Sequence, residues 1–380
     1  MTGKVGREGV GAVPSRDAGP ADGAERPPAA GPPRAVTAAA PRSPGTGRGP
    51  YEPHPLLRGF HRMTLASILA RRDDRQPVPR VERRVVAVDH RTSVLTLCSW
   101  QPDPAASVVV VVHGLGGHAD RPYMRGVARQ AFRAGFSVVR LNVRNAGGTE
   151  SLAGSLYHAG LVEDLRAVVS ELVRELPGRK LHLVGFSMGG NMVLRLAGLW
   201  ADLPPREVVS LCAVSPSVDL ERCARDIDNA WGLAVYRRSF LSRLRALYDR
   251  RAVLQPERYE AGRVAGARTL RVFDELATAP DCGFPDAATY YRRASARPVL
   301  RRIALPTLVL HARDDLLTPL DGGLEDELRS LETVSLEVSP HGGHCAFLCR
   351  DVLGPGGDRS WAEHRLVAFL VDREAGCTNS

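Results

Sequence analysis

Nowhere along the 380 residues do eighteen apolar side chains follow one another, so we expect no helix that spans a bilayer. The N-terminus lacks the basic, apolar and small-residue succession of a secretory leader. Paired cysteines are missing too. The seven present, Cys98, Cys212, Cys223, Cys282, Cys345, Cys349 and Cys377, are odd in number and form no C-x-x-C pair. Such a scattered set argues against a disulfide framework and suits a reducing compartment. These absences predict a soluble, cytoplasmic protein whose cysteines mostly serve as small buried apolar residues. Nor is there a block of like charge. The balance of 51 basic and 42 acidic residues gives +9, but the excess is nearly all arginine and is spread along the chain. We expect a solvated arginine-rich surface, no nucleic-acid partner and at most peripheral contact with anionic membranes. No oligomeric state is read from this pattern.

What is present falls into unlike parts. Residues 1–50 are rich in Pro, Gly and Ala and almost devoid of large apolar side chains. Such a segment cannot bury enough surface to offset its ordering entropy, and a disordered tail is expected there. From Tyr51 the pattern changes. Arg84–Asp89 and Val94–Trp100 read as two strands of a hairpin. Val108–Val112 is five valines in a row, a strand buried on both faces. Strands follow at Ser137–Asn142, Leu181–Gly185, Val208–Val214, Thr307–His311 and Val334–Val338. Helical spacing lies between them at Pro122–Ala134, Ala159–Leu176 and Gly189–Trp200, and again at Ser360–Val371. Alternation of this kind predicts an α/β protein with a mostly parallel central sheet and helices on both faces. Between about Ser217 and Arg302 the strand signal stops and helical periodicity takes over, at Tyr236–Tyr248 and Arg268–Leu276. We therefore expect a core of 51–216 and 303–372, a helical cap over 217–302 inserted between late strands, and a short tail over 373–380.

Four motifs fall at the carboxyl ends of these strands. Gly185-Phe186-Ser187-Met188-Gly189 fits G-x-S-x-G, after an apolar strand and before a helix, which is the context of a nucleophile elbow. His113-Gly114-Leu115-Gly116-Gly117 follows the valine strand. Acyl transfer needs two backbone N–H groups aimed at a developing oxyanion, and position points to Leu115 and Met188. His113 itself reads as a residue that shapes this loop. His311-Ala312-Arg313-Asp314-Asp315 offers two candidate carboxylates, of which Asp315 is preferred by its place in the turn; Asp314 is expected to cap or solvate the loop. His341-Gly342-Gly343-His344 offers two imidazoles, and His344 is preferred because an apolar run follows it. A metal site at the two histidines lacks further ligands at suitable spacing. The chain order Ser, Asp, His is that of the α/β-hydrolase fold, and the chemistry expected is a Ser187–His344–Asp315 triad that needs neither metal nor organic cofactor.

These residues, with several others, resemble the YheT-like family of α/β-hydrolases, which includes bacterial esterases, plant embryogenesis-associated proteins and animal membrane-associated lipases. The likeness runs from Tyr51 to about Leu370. It includes Tyr51-Glu52-Pro53-His54-Pro55-Leu56-Leu57 with His61, then Asn142-Val143-Arg144, then Tyr157-His158-Ala159-Gly160 with Asp164. Its most specific piece lies in the cap, where Phe273-Asp274 precedes Gly283-Phe284 and the run Asp286 to Ser295. The chain departs from the family at Asn145-Ala146, where glycine usually opens the turn, at Cys345-Ala346, and in having the proline-rich tail where animal members carry a membrane-spanning segment. The resemblance implies hydrolysis of carboxylic esters, with short-chain esters or acylglycerols as small-molecule or lipid substrates. The residues alone also admit an acyltransferase, a thioesterase or an amidase, or a catalytically silent binding module. Tyr290 and Tyr291 are expected to pack the cap onto the core, and Asn142-Val143-Arg144 to brace the floor of the site.

Overall fold

Each of the five valines of Val108–Val112 is fully buried in the computed structural model, which describes residues 49–69, 80–353 and 358–376. Successive side chains point to opposite faces of the strand. Val109 and Val111 enter one apolar core; Val108, Val110 and Val112 enter the other. At about 1.5–3 kcal/mol for a fully buried side chain of this size, this one strand anchors both layers.

The strands in chain order are β1 (Glu82–Asp89), β2 (Thr92–Ser99), β3 (Val108–Val112), β4 (Ser137–Asn142), β5 (Leu181–Phe186), β6 (Val208–Val214), β7 (Thr307–Ala312) and β8 (Val334–Ser339). They form one sheet in the order β1-β2-β4-β3-β5-β6-β7-β8. β1 and β2 pair as an antiparallel hairpin and β2 is antiparallel to β4; every later pairing is parallel. The helices are α1 (Phe60–Leu69), α2 (Pro122–Arg133), α3 (Glu163–Glu175), α4 (Met188–Trp200), α5 (Leu220–Asn229), α6 (Ala234–Leu254), α7 (Leu270–Phe273), α8 (Ala279–Asp281), α9 (Ala287–Ala294), α10 (Gly322–Arg329) and α11 (Trp361–Gly376). A π-helical turn, Asp274–Thr278, joins α7 to α8. Helices α2 and α11 cover one face through Met124, Val127, Leu366 and Leu370. The other face is covered by α3, α4 and α10 through Val168, Val169, Met192 and Leu328. α5 to α9 all lie between β6 and β7, so the segment expected to be helical contains no described strand. No described helix is long and apolar enough to cross a membrane.

Several boundaries differ from the sequence reading. The helix expected to begin at Ala159 begins at Glu163. Ala159 instead spends its backbone groups on α9 and α4. Ala159 N donates to the Tyr290 hydroxyl at 3.1 Å and its carbonyl accepts from Asn191 Nδ2 at 2.9 Å. Gly160 lies so close to α9 that a β-carbon there would stand 2.4 Å from Ala294 Cα. The last helix continues through Gly376, so residues 373–376 extend it and do not form a tail. Two helices carry weak local signals and escape the sequence reading. α10 opens on two glycines and is held by Asp321, whose carboxylate accepts from Leu324 N at 2.7 Å. α1 has no acidic residue in its first turn and is fixed by tertiary packing of Met63 against Ala346 and Leu348. Asn145 stands at φ 64, a conformation asparagine tolerates better than most residues, which accounts for its place where glycine is usual. The proline-rich tail lies, up to residue 48, outside the described residues, as do residues 377–380.

Candidate active site

Strand β5 ends in a turn that only certain residues allow. Ser187 sits at φ 53, ψ −117, a conformation that costs a non-glycine residue about 1–3 kcal/mol. A β-carbon at Gly185 would stand 2.2 Å from Gly189 O, and one at Gly189 would stand 2.4 Å from Val112 O. Both glycines are therefore required for α4 to start this close to the sheet. The strain is held by Ser187 N donating to Val214 O at 2.9 Å. Asn191, fully buried one turn along α4, ties the elbow to its surroundings. It donates to Ala159 O and Ala294 O and accepts from Ala296 N.

The turn lifts the Ser187 hydroxyl to 2.9 Å from His344 Nε2, and His344 Nδ1 lies 2.8 Å from Asp315 Oδ2. With Asp315 as acceptor, the neutral imidazole carries its proton on Nδ1 and presents Nε2 to the serine. Asp315 is held from every side. Its Oδ1 accepts from Leu317 N and Thr318 N, and its Oδ2 also accepts from Thr318 Oγ1 at 2.9 Å. Burial pushes its carboxyl up, but the charge and hydrogen bond of His344 outweigh this and hold it below its ordinary value. Burial works against a charged His344, yet the Asp315 carboxylate prevails and the imidazole stands well above its ordinary value of 6.5.

The two adjacent aspartates face different histidines. Asp314 Oδ2 lies 3.4 Å from His341 Nδ1, while its Oδ1 accepts from Gly342 N at 3.0 Å and Gly343 N at 2.9 Å. It thus caps the distant loop after β8 as well as bordering its own. It clamps the backbone that carries His344. The other clamp is Thr64 of α1, whose Oγ1 accepts from His344 N at 3.0 Å. Thr64 lies 280 residues from its partner, and no local pattern announces it. Removing the Asp314 carboxyl should therefore act through position. Asp314→Ala is expected to lower turnover about 10²-fold, the cost of misplacing a reacting group by about 1 Å. Asp314→Asn, which keeps an acceptor oxygen, should lose far less. Steady-state turnover with thermal melts as a folding check distinguishes the two.

The loop after β3 closes over the serine. A β-carbon at Gly114 would stand 3.1 Å from Ser187 Cβ, so this loop and the nucleophile are in contact. Met188 is the first residue of α4, where the N–H has no helical acceptor. Neither its N–H nor that of Leu115 finds an acceptor among the described residues. His113 is fully buried and braces the loop. Its Nδ1 lies 2.9 Å from Gly114 O and its Nε2 accepts from Val143 N at 3.3 Å. Burial lowers its pKa to about 4, so it is neutral. Beneath, Arg144 donates through N, Nε and Nη2 to the buried Asp164 carboxylate, and its neighbour Asn142 accepts from Ala119 N at 2.7 Å. Tyr290 donates no contact to the triad; its hydroxyl meets Ala159 N, and the Tyr291 hydroxyl donates to Asp274 at 2.7 Å. Both rings also wall a hollow that ends at Ser187 and His344. No cluster of three or more His, Cys, Asp or Glu side chains suited to a metal occurs among the described residues.

Residues 107–351 match the model of the alpha/beta hydrolase fold family. The chain belongs to that family. Within it stands the Escherichia coli protein YheT, designated an esterase, with 32% identity over 83% of this chain and 92% of its own length; the chain is one of this YheT-like group. The monoacylglycerol lipase of Saccharomyces cerevisiae is 29% identical over 70% of this chain but only 60% of its own length. Among solved structures, the Pyrococcus furiosus esterase Pf2001 is similar in fold, with a TM-score of 0.51 and 16% identity over 77% of this chain and 92% of that one. By class the protein is a carboxylic ester hydrolase of esterase or lipase type.

Proposed function

We propose that the protein hydrolyses short-chain or acylglycerol esters through an acyl-enzyme on Ser187, with His344 as general base and Asp315 as the residue that orients it. The observation that carries this reading is the unbroken line from the Ser187 hydroxyl through His344 to Asp315, with both contacts below 3 Å. Ser187 Oγ attacks the acyl carbonyl carbon and its proton passes to His344 Nε2. The carbonyl oxygen becomes an oxyanion held by the N–H groups of Leu115 and Met188. The bond to the alcohol then breaks, and His344 gives its proton to the departing oxygen. Water attacks the acyl-enzyme by the same route and frees the acid. A silent binding module is disfavoured because every element of this path is present. Six free cysteines among the described residues fit a cytoplasmic setting.

The pH dependence of ester turnover tests this assignment. Only neutral His344 accepts the serine proton, and its pKa is raised while that of Asp315 is lowered. Activity should therefore fall as pH drops through the raised value, and kcat/KM should show an acid limb with its midpoint above 6.5. A p-nitrophenyl butyrate profile that stays flat down to pH 5 would argue that no histidine of this kind is the base.

A further inference from the structure

Two hollows meet at the candidate nucleophile. Leu115, Ser187, Phe240, Leu317 and His344 line both. The first runs beneath the inserted helices, with walls that include Leu220, Ala224, Ile227, Leu244 and Leu270, a lining suited to an acyl chain. The second opens between α1, the loop after β3 and α6, and it adds positive charge to a mainly apolar lining that includes Ile68 and Phe186. Ser67, Tyr236 and Ser239 line it, together with two arginines, Arg121 and Arg243; no Asp or Glu does, among the described residues.

The two guanidinium groups converge on one point of the loop. Arg121 Nη2 donates to Gly116 O at 3.2 Å, and the Arg243 side chain lies across the same Gly116. Neither has a carboxylate partner among the described residues. Asp120, next to Arg121 in sequence, accepts from Arg140 at 2.7 Å. Burial, and then the nearby charge of Arg121, lower the Arg243 pKa. His118, also close to both, is shifted down by burial first and by Arg121 next. Like charges held together without a counter-ion are unfavourable. An oxyanion between them would relieve the repulsion and meet the fork geometry of each guanidinium.

We propose that the second hollow seats the alcohol portion of the ester, and that Arg121 and Arg243 bind an oxyanion, phosphate or carboxylate, carried on that alcohol. This rests on the serine-esterase reading above. The acyl chain then occupies the apolar hollow, the carbonyl lies at Ser187, and the leaving alcohol departs on the side of the arginines with the proton from His344. The positive hollow also draws anionic esters toward the site from solution.

The test compares kcat/KM of the full chain at low ionic strength on four esters. These are 1-butyrylglycerol, its 3-phosphate, 3-O-butyrylglycerate, and the glycerol monoester of succinate, which carries its charge on the acyl side. Two partly exposed charge contacts correspond to about a tenfold preference for an alcohol-side anion over the neutral ester. That preference should shrink with added salt. It should fall to about onefold in Arg121→Gln/Arg243→Gln, invert in Arg121→Glu/Arg243→Glu and largely survive in Arg243→Lys, with thermal melts as the folding check. A gain on the phosphate ester alone, or on the glycerate alone, supports the proposal and names the anion. No gain in the parent overturns it, as does a gain that persists in the double variant or an equal gain for the succinate ester. If the parent fails on the neutral ester too, the esterase reading itself falls, and the proposal with it.

Discussion

Ser187→Ala is expected to lower turnover of a short-chain ester by roughly 10⁶-fold, the loss seen when a serine hydrolase of the triad type is deprived of its nucleophile. The size of the effect follows from the geometry. Ser187 is held at a strained φ of 53 so that one hydroxyl stands 2.9 Å from one imidazole nitrogen. Alanine keeps the backbone and removes only that oxygen. The fold should survive, because the elbow is set by Gly185, Gly189 and the bond from Ser187 N to Val214 O. Relief of strain is not expected, since alanine also carries a β-carbon. What remains should be the small rate enhancement of the oxyanion donors and of substrate binding. An alanine variant that keeps even a tenth of parent turnover would remove Ser187 from the mechanism.

Asp315→Asn should cost on the order of 10⁴ in turnover with little loss of fold. Its carboxylate accepts from Leu317 N, Thr318 N, Thr318 Oγ1 and His344 Nδ1. An asparagine can keep the backbone donors on its carbonyl oxygen, but it then turns an NH₂ toward the imidazole. His344 Nδ1 must become the acceptor, its proton moves to Nε2, and the face toward Ser187 loses its base. The negative charge that stabilises the imidazolium is lost as well. His344→Ala should match Ser187→Ala, and the double variant should be no worse than either alone, because members of a triad act as a unit. Turnover of p-nitrophenyl butyrate in these variants and in Asp314→Asn, with melting curves, checks both statements. A small loss in Asp315→Asn beside a large one in Asp314→Asn would transfer the orienting role to Asp314.

Much of this arrangement is visible in the sequence, for physical reasons. β3, β4 and β6 lie where the sequence places them; β3 is apolar along its whole length because it is covered on both faces. The edge strand β1 alternates between exposed and covered side chains over Val85–Asp89. Ser187, Asp315 and His344 could be picked out because strand, turn and helix succeed one another locally around each. The structure brings these three together and turns Asp314 and His341 toward each other. What escaped the sequence depends on contacts far apart in the chain. Thr64 supports the His344 backbone from a helix that its own residues barely announce. Ala159 forgoes a helical start to bond with α4 and α9, and Gly160 packs against Ala294. The helices between β6 and β7 are legible as helices, but their individual bounds depend on side-chain caps such as Asp219, Thr269 and Asp286. The arginine pair is also beyond local reading, since Arg121 and Arg243 come from opposite sides of the hollow.

The central claim is that Ser187 is the one nucleophile of this site, and active-site labelling tests it most directly. The parent protein treated with a fluorophosphonate should gain one covalent adduct, and peptide mass analysis should place it on Ser187. Ser187→Ala should gain none, and His344→Ala should react far more slowly because the hydroxyl has lost its base. An adduct on another residue, or equal labelling of parent and Ser187→Ala, would contradict the account.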